Sequence, residues 1–171
     1  YPGGSLLLDH FSLLIAGPER VAIQGPNGCG KSTLAQLIMG QLHALSGSLK
    51  LGVSHYTYLD QNASLLDPEK TLLEAVLEKN QDFTTQDAHS ALAQFLFPNK
   101  KAHKKIADLS GGEKIRAALV LCLLAKQAPQ LIILDEPSNH LDLSSIEALE
   151  AILQSYQGAM MIISHDQHFI D

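Results

Sequence analysis

Eight residues, Gly25-Pro26-Asn27-Gly28-Cys29-Gly30-Lys31-Ser32, follow the pattern G-x-x-x-x-G-K-S without a departure. Glycines at that spacing let successive backbone N–H groups curl round phosphate oxygens, where a Cβ would obstruct the backbone angles or the approach. Lys31 supplies a point charge for the β and γ phosphates, and Ser32 a hydroxyl ligand for Mg²⁺. A helix that starts at Lys31 aims its positive end, with the amides through Thr33, at the same anion. A second run, Leu131-Ile132-Ile133-Leu134-Asp135-Glu136, closes an apolar strand with two carboxylates. Asp135 suits Mg²⁺ held through its water shell, because this ion keeps several waters and takes few protein ligands. Glu136 points differently and is placed to accept a proton from an attacking water. Alone, such a pair often just ends a strand at the surface. Beside the glycine-rich loop it reads as the other half of a phosphoryl-transfer site.

These groups need a scaffold, and the apolar pattern supplies one. Residues 21–24 form a short strand entering the loop, and a helix follows with Leu34, Leu37 and Ile38 on one face and Gly40 at its stop. Residues 6–8, 11–15, 49–53 and 55–59 read as further strands, the first two around Asp9 and His10. Thr71 and Glu74 make a capping box that opens a helix through Lys79; residues 88–97 form another helix, ended by Pro98. Ser110 and Glu113 make a second capping box, and the helix behind it places Ile115, Ala118, Leu119, Cys122 and Leu123 on one face. Residues 144–156 form a helix with Ile146, Leu149, Leu153 and Tyr156 inward, and residues 160–163 an apolar strand ending at Ser164 and His165.

Three fully apolar strands separated by helices imply a parallel sheet covered on both faces. Ligands then sit beyond the carboxyl ends of the strands. Those ends carry Gly25, Asp135 and His165, so topology and polar chemistry point to one edge.

The chain has 171 residues, enough for one domain with a small subdomain, and a net charge of −6. That mildly acidic balance argues against a whole-surface nucleic-acid binder and leaves room for a local basic patch. Such a patch lies in residues 99–105, where Lys100, Lys101, Lys104 and Lys105 surround His103. It is either a solvated basic turn or a contact to RNA phosphates. Cys29 and Cys122 are far apart and imply no disulfide scaffold; within the loop, Cys29 is either a small filler or a modifiable thiol. The eight histidines are scattered, and His165 with His168 completes no zinc set. The longest apolar stretches are far too short to cross a bilayer, no leader pattern is present, and the expected compartment is the cytoplasm.

Five further pieces resemble the ABC ATPases, in that family's order. Leu109-Ser110-Gly111-Gly112-Glu113 resembles the signature sequence, Gln61 the glutamine loop, residues 138–142 the D-loop and His165 the histidine switch; Tyr1 lies near where the family keeps an adenine-stacking aromatic. The resemblance implies an α/β P-loop NTPase fold: a mainly parallel central sheet, an N-terminal antiparallel β segment, and a helical subdomain over about residues 65–125. It implies ATP and Mg²⁺ as ligands, with residues 25–33 on the nucleotide and Ser32, Gln61 and Asp135 toward the metal. Glu136, His165, Lys31 and Gln61 would carry the hydrolysis. Ser110, Gly111, Gly112 and Glu113 would hold the γ-phosphate bound by a second cassette, so that two cassettes close head to tail over two ATP molecules.

Finer details resemble the ABC-F branch, whose members carry two cassettes in one chain and act on ribosomes. Glu136-Pro137-Ser138-Asn139-His140-Leu141-Asp142 is similar to that branch's Glu-Pro-Thr-Asn-His-Leu-Asp, and Glu113-Lys114 stands where transporters more often have glutamine. Asp60-Gln61 and Gly25-Pro26-Asn27 look like a second cassette, expected to belong to a longer chain that continues beyond His165 with further strands. Two other readings stay open: a motor subunit docked on a transporter's membrane domains, and a chromosome-maintenance ATPase head. Against the latter, only a short helical stretch separates the two halves of the site.

Overall fold

A computed structural model describes residues 10–26, 28–139 and 141–166. Among them, four strands form one parallel sheet: β1 (Arg20–Ile23), β2 (Tyr56–Leu59), β3 (Leu131–Asp135) and β4 (Ala159–Ile163), in the order β1-β4-β3-β2. Helix α1 (Lys31–Ile38) follows β1 directly. Between β2 and β3 come α2 (Leu72–Lys79), α3 (Thr85–Gln94), the short α4 (Asn99–Ala102), a 3₁₀ turn at Ile106–Asp108 and α5 (Gly111–Leu124). Helix α6 (Leu143–Ser155) joins β3 to β4.

Side chains alternate across a strand, so a sheet covered on both faces splits an apolar run into two cores. Leu131, Ile133, Met161 and Ile163 face α1 and meet Leu34, Ala35 and Ile38. Ile132, Leu134 and Met160 face the other way, into a larger core with Leu119, Leu149, Ile152 and Leu153 of α5 and α6. Strand β3 is buried at every position, as its unbroken apolar run predicts. Strand β1 is half exposed, because its outer edge has no neighbour among the described residues.

The parallel α/β architecture agrees with the sequence, with local corrections. Residues 11–15 and 49–53 form no strand, and residues 6–8 lie outside the described residues, so the expected antiparallel segment is not seen among those described. An alternating apolar pattern needs a ladder partner to become a strand; here Ile15, Leu51 and Val53 use it to pack on the α1-side core instead. Helix α3 begins earlier than expected, at a capping box of Thr84 and Asp87. The basic segment 99–105 opens with one helical turn, and two of its four lysines are ion-paired. Helix α5 is buried all round from Ile115 to Cys122, rather than along one stripe, because the sheet, α2 and α6 enclose it. Its Arg116 lies over the Phe97 ring at 4.9 Å.

Candidate functional site

Parallel pairing sets four strand ends side by side. Ile23, Ile163 and Asp135 share one register line, and Leu59 pairs with Leu134 one step before it. The residues that follow are therefore Gln24 and Gly25, Ser164 and His165, Glu136, and Asp60 and Gln61. The one edge expected from the sequence collects every strand-end residue proposed for chemistry.

At β1, the chain turns through Gly28 (φ 81°) and Gly30 (φ 104°), angles that L side chains rarely adopt. A Cβ at Gly25 would stand 2.6 Å from the Cys29 sulfur, so glycine there permits the loop to close on itself. Gly30 is the N-cap of α1 and offers no side-chain oxygen to the helix, which leaves the first-turn N–H groups directed outward. Ser32 is exposed and Thr33 partly so on that first turn, and Cys29 is exposed within the loop. Lys31 is buried; its Nζ donates to the carbonyl of Gly25 at 2.7 Å and of Pro26 at 3.3 Å. The same nitrogen lies 3.5 Å from Glu136 Oε1. Asn27 and Tyr1, both expected at the nucleotide, fall outside the described residues, as does His140.

Glu136 connects the two halves. Its backbone N–H donates to the Ile163 carbonyl at 2.8 Å, which pins the end of β3 to β4. Its φ of 52° is unusual for a residue with a long side chain. The side chain points between Lys31 and His165, whose Nδ1 is 2.8 Å from Oε2. Loop, carboxylate and histidine thus meet in one chain of polar contacts.

Asp135 is nine-tenths buried. The Tyr58 hydroxyl donates to its Oδ2 at 2.7 Å, and its buried Oδ1 has no hydrogen-bond partner among the described residues. Burial, then the bond to Asp135, holds the Tyr58 phenol well above its ordinary pKa. No local sequence motif marks Tyr58. Its link to Asp135 depends on strand register, which sets Tyr58 level with Ile133, two residues before Asp135 on the same face. An orphaned carboxylate oxygen, an exposed hydroxyl at Ser32 and open helix amides form a donor set that fits a triphosphate with a hard divalent cation.

Gln61 is exposed on a turn fixed by Asp60, which accepts from the Asn62 and Ser64 amides and from the Ser64 hydroxyl. Burial opposes ionisation of Asp60, yet those bonds keep its pKa below the usual value. No hydrogen bond joins Gln61 to Asp135 or Glu136 among the described residues; the two segments are set side by side by the pairing of β2 with β3 and by the Tyr58–Asp135 bond.

Ser110 caps α5, with the capping box to Glu113 complete. Gly112 packs so tightly on the start of α6 that a Cβ would stand 2.8 Å from Ser145 Oγ and 3.1 Å from Leu141 Cδ2. The Glu113 carboxylate accepts from the Ser110 N–H and from Lys101 at 2.6 Å. Lys101 first, then the Ser110 amide, draws its pKa down against the opposing effect of burial. No hydrogen bond or ion pair joins residues 110–113 to the phosphate loop among the described residues. A groove of about 760 Å³, lined by His55, Thr57, Glu78, Cys122 and Lys126 among others, contains none of the loop or carboxylate residues.

A phosphate loop after the first strand, acidic residues at the end of β3 and a histidine at the end of β4 define a P-loop NTPase of the ATP-binding cassette class. The chain belongs to the ABC transporter family, whose model matches residues 8–139. It is 42% identical to the ATP-binding protein Uup of Haemophilus influenzae over 98% of this chain and 26% of that protein. It is also 42% identical to ABC transporter F family member 5 of Arabidopsis thaliana, over 96% of this chain and 24% of that one. The chain thus spans about a quarter of the length of these curated relatives. Among solved structures, cbiO1 from Clostridium perfringens, described as part of the ABC transporter complex cbiONQ, superposes with a TM-score of 0.75. That match covers 97% of this chain and 74% of that one at 23% identity, and it speaks to the fold. Among the described residues, no helix is long and apolar enough to cross a membrane.

Proposed function

We propose that this cassette binds and hydrolyses ATP with Mg²⁺ as one half of a head-to-tail cassette pair in a ribosome-associated ABC-F protein. The observation that carries the hydrolytic part is the line of contacts Gly25–Lys31–Glu136–His165, flanked by the unpartnered Asp135 Oδ1. The α1 amides and Lys31 bind the phosphates. Ser32, Asp135 and Gln61 would hold the metal, which would offset the charge of the β and γ phosphates. Glu136 takes a proton from the water that attacks the γ-phosphorus, and the bond to the β–γ bridging oxygen breaks to release ADP and phosphate. His165 holds the Glu136 carboxylate and orients the γ-phosphate or the water. Residues 110–113, apart from this chain's own loop, serve the nucleotide of the opposite cassette.

The ABC-F assignment is supported by the similarity to an F family member and to Uup, and by the residues 136–142 quoted above. Ribosomal contact draws on that branch resemblance. Within the basic segment, Lys101 and Lys105 already pair with Glu113 and Glu69, so Lys100 and Lys104 are the cations left to meet RNA phosphates. A full-length Glu136→Gln variant is expected to co-sediment with ribosomes in an ATP-dependent way. Absence of that trapping, with ATP still bound, would favour a motor subunit of a membrane transporter.

A further inference from the structure

Two neighbouring facts about Asp135 belong together. One carboxylate oxygen accepts from the Tyr58 hydroxyl, and the other is buried without a partner. Strand register explains the pairing. Tyr58 lies opposite Ile133 on adjacent parallel strands, so Asp135, two residues on, shares its face and is its diagonal neighbour. A tyrosine spans that diagonal; a shorter residue would not. The face is the one covered by α1, the helix that carries Ser32 on its first turn.

A carboxylate free to rotate about its last torsion presents either oxygen to a cation. A fixed donor on Oδ2 removes that freedom and leaves Oδ1 as the unpaired oxygen. We infer that Tyr58 is a positioning residue, which orients Asp135 so that Oδ1 is presented to the metal of bound nucleotide. The inference rests on the reading of Asp135 as the metal-facing carboxylate. It assigns to β2 a part in the site beyond carrying Gln61. Partners that orient ligating groups typically change metal affinity by about 10–100-fold when removed.

The test compares Tyr58→Phe, Tyr58→Leu, Tyr56→Phe and Asp135→Asn with the unaltered full chain. Mn²⁺ affinity of the ATP complex is read by electron paramagnetic resonance, ATP affinity in EDTA by calorimetry, and the thermal midpoint without nucleotide by circular dichroism. Tyr58→Phe is expected to weaken Mn²⁺ binding by roughly ten-fold or more with ATP affinity in EDTA unchanged. Tyr58→Leu should lose as much Mn²⁺ affinity while also losing packing and thermal midpoint, and Tyr56→Phe should match the unaltered chain. Tyr58→Phe keeping full Mn²⁺ affinity while Asp135→Asn loses it would overturn the role of Tyr58 and leave the site reading standing. Loss of Mn²⁺ affinity that follows the thermal midpoint across the Tyr58 variants would overturn it too. Asp135→Asn keeping full affinity would overturn both.

Discussion

Helices α2, α3, α5 and α6 each begin with a side-chain oxygen accepting from a backbone N–H three residues on: Thr71 from Glu74, Thr84 from Asp87, Ser110 from Glu113, and Asp142 from Ser145. Helix α1 begins at Gly30 with no such oxygen. The same contrast runs through the regions these helices belong to. In the helical segment between β2 and β3, helix starts and surface charges close on one another in capping boxes and ion pairs, although His89 Nδ1 and Arg116 Nε are buried there without a hydrogen-bond partner among the described residues. At the carboxyl edge of the sheet Lys31, Glu136 and His165 also meet in polar contacts, yet Asp135 keeps a buried unpaired oxygen there and Glu136 holds a left-handed backbone. Satisfied polar groups hold a fold, whereas unsatisfied ones at the end of a parallel sheet await a ligand.

That contrast can be broken most severely at Glu136. Glu136→Gln is expected to lower turnover by about 10²–10⁴-fold with ATP still bound, measured by phosphate release and calorimetry. Lys31→Ala should instead abolish nucleotide binding while the circular dichroism spectrum stays that of the folded chain. Gly112→Ala forces a Cβ onto Ser145 and Leu141, and overpacking of this kind costs about 1–3 kcal/mol in chemical denaturation. Thr71→Ala or Thr84→Ala should cost about 0.5–2 kcal/mol by the same measurement and leave ATP affinity alone. A drop in ATP affinity from either cap variant would blur the division between the two regions.

The smallest effect concerns Glu113. Its folded-state pKa is depressed, so its contribution to stability is present above the ordinary glutamate value of about 4.3 and is lost as pH falls through the depressed one. Glutamine preserves the capping box but cannot pair with Lys101 as an ion. Glu113→Gln is therefore expected to be slightly less stable than the unaltered chain near neutral pH and to converge with it at acid pH, which flattens the acid limb of the stability–pH curve. A curve identical to the unaltered chain's would mean that the Lys101 pair contributes nothing.

The sequence was most legible where local rules and tertiary structure agree. The loop motif, the capping boxes at Thr71 and Ser110 and the apolar runs of β3 and β4 each carry their own signal within a few residues. Residues 11–15 and 49–53 carry a strand-like pattern without forming strands, because a strand is made by its neighbour and the same pattern fits packing on a core equally well. Thr84 and Asp87 had the spacing of a cap but preceded a weakly apolar helix, which hid the boundary. Arg116 was illegible for another reason: a guanidinium is ordinarily outward, and only the ring of Phe97 and the enclosure of α5 make a buried place for it. Tyr58 escaped notice because its partner is 77 residues away and the link depends on strand register.

In the proposed site the amides of residues 25–33 and the carboxylates of Asp135 and Glu136 face one Mg-ATP. A crystal structure of the Glu136→Gln variant grown with Mg-ATP tests it most directly. The expected density places the γ-phosphate against the first turn of α1 and Lys31, with the metal between that phosphate, Ser32 and the Oδ1 side of Asp135. Nucleotide density anywhere else, with residues 25–33 bare, would contradict it.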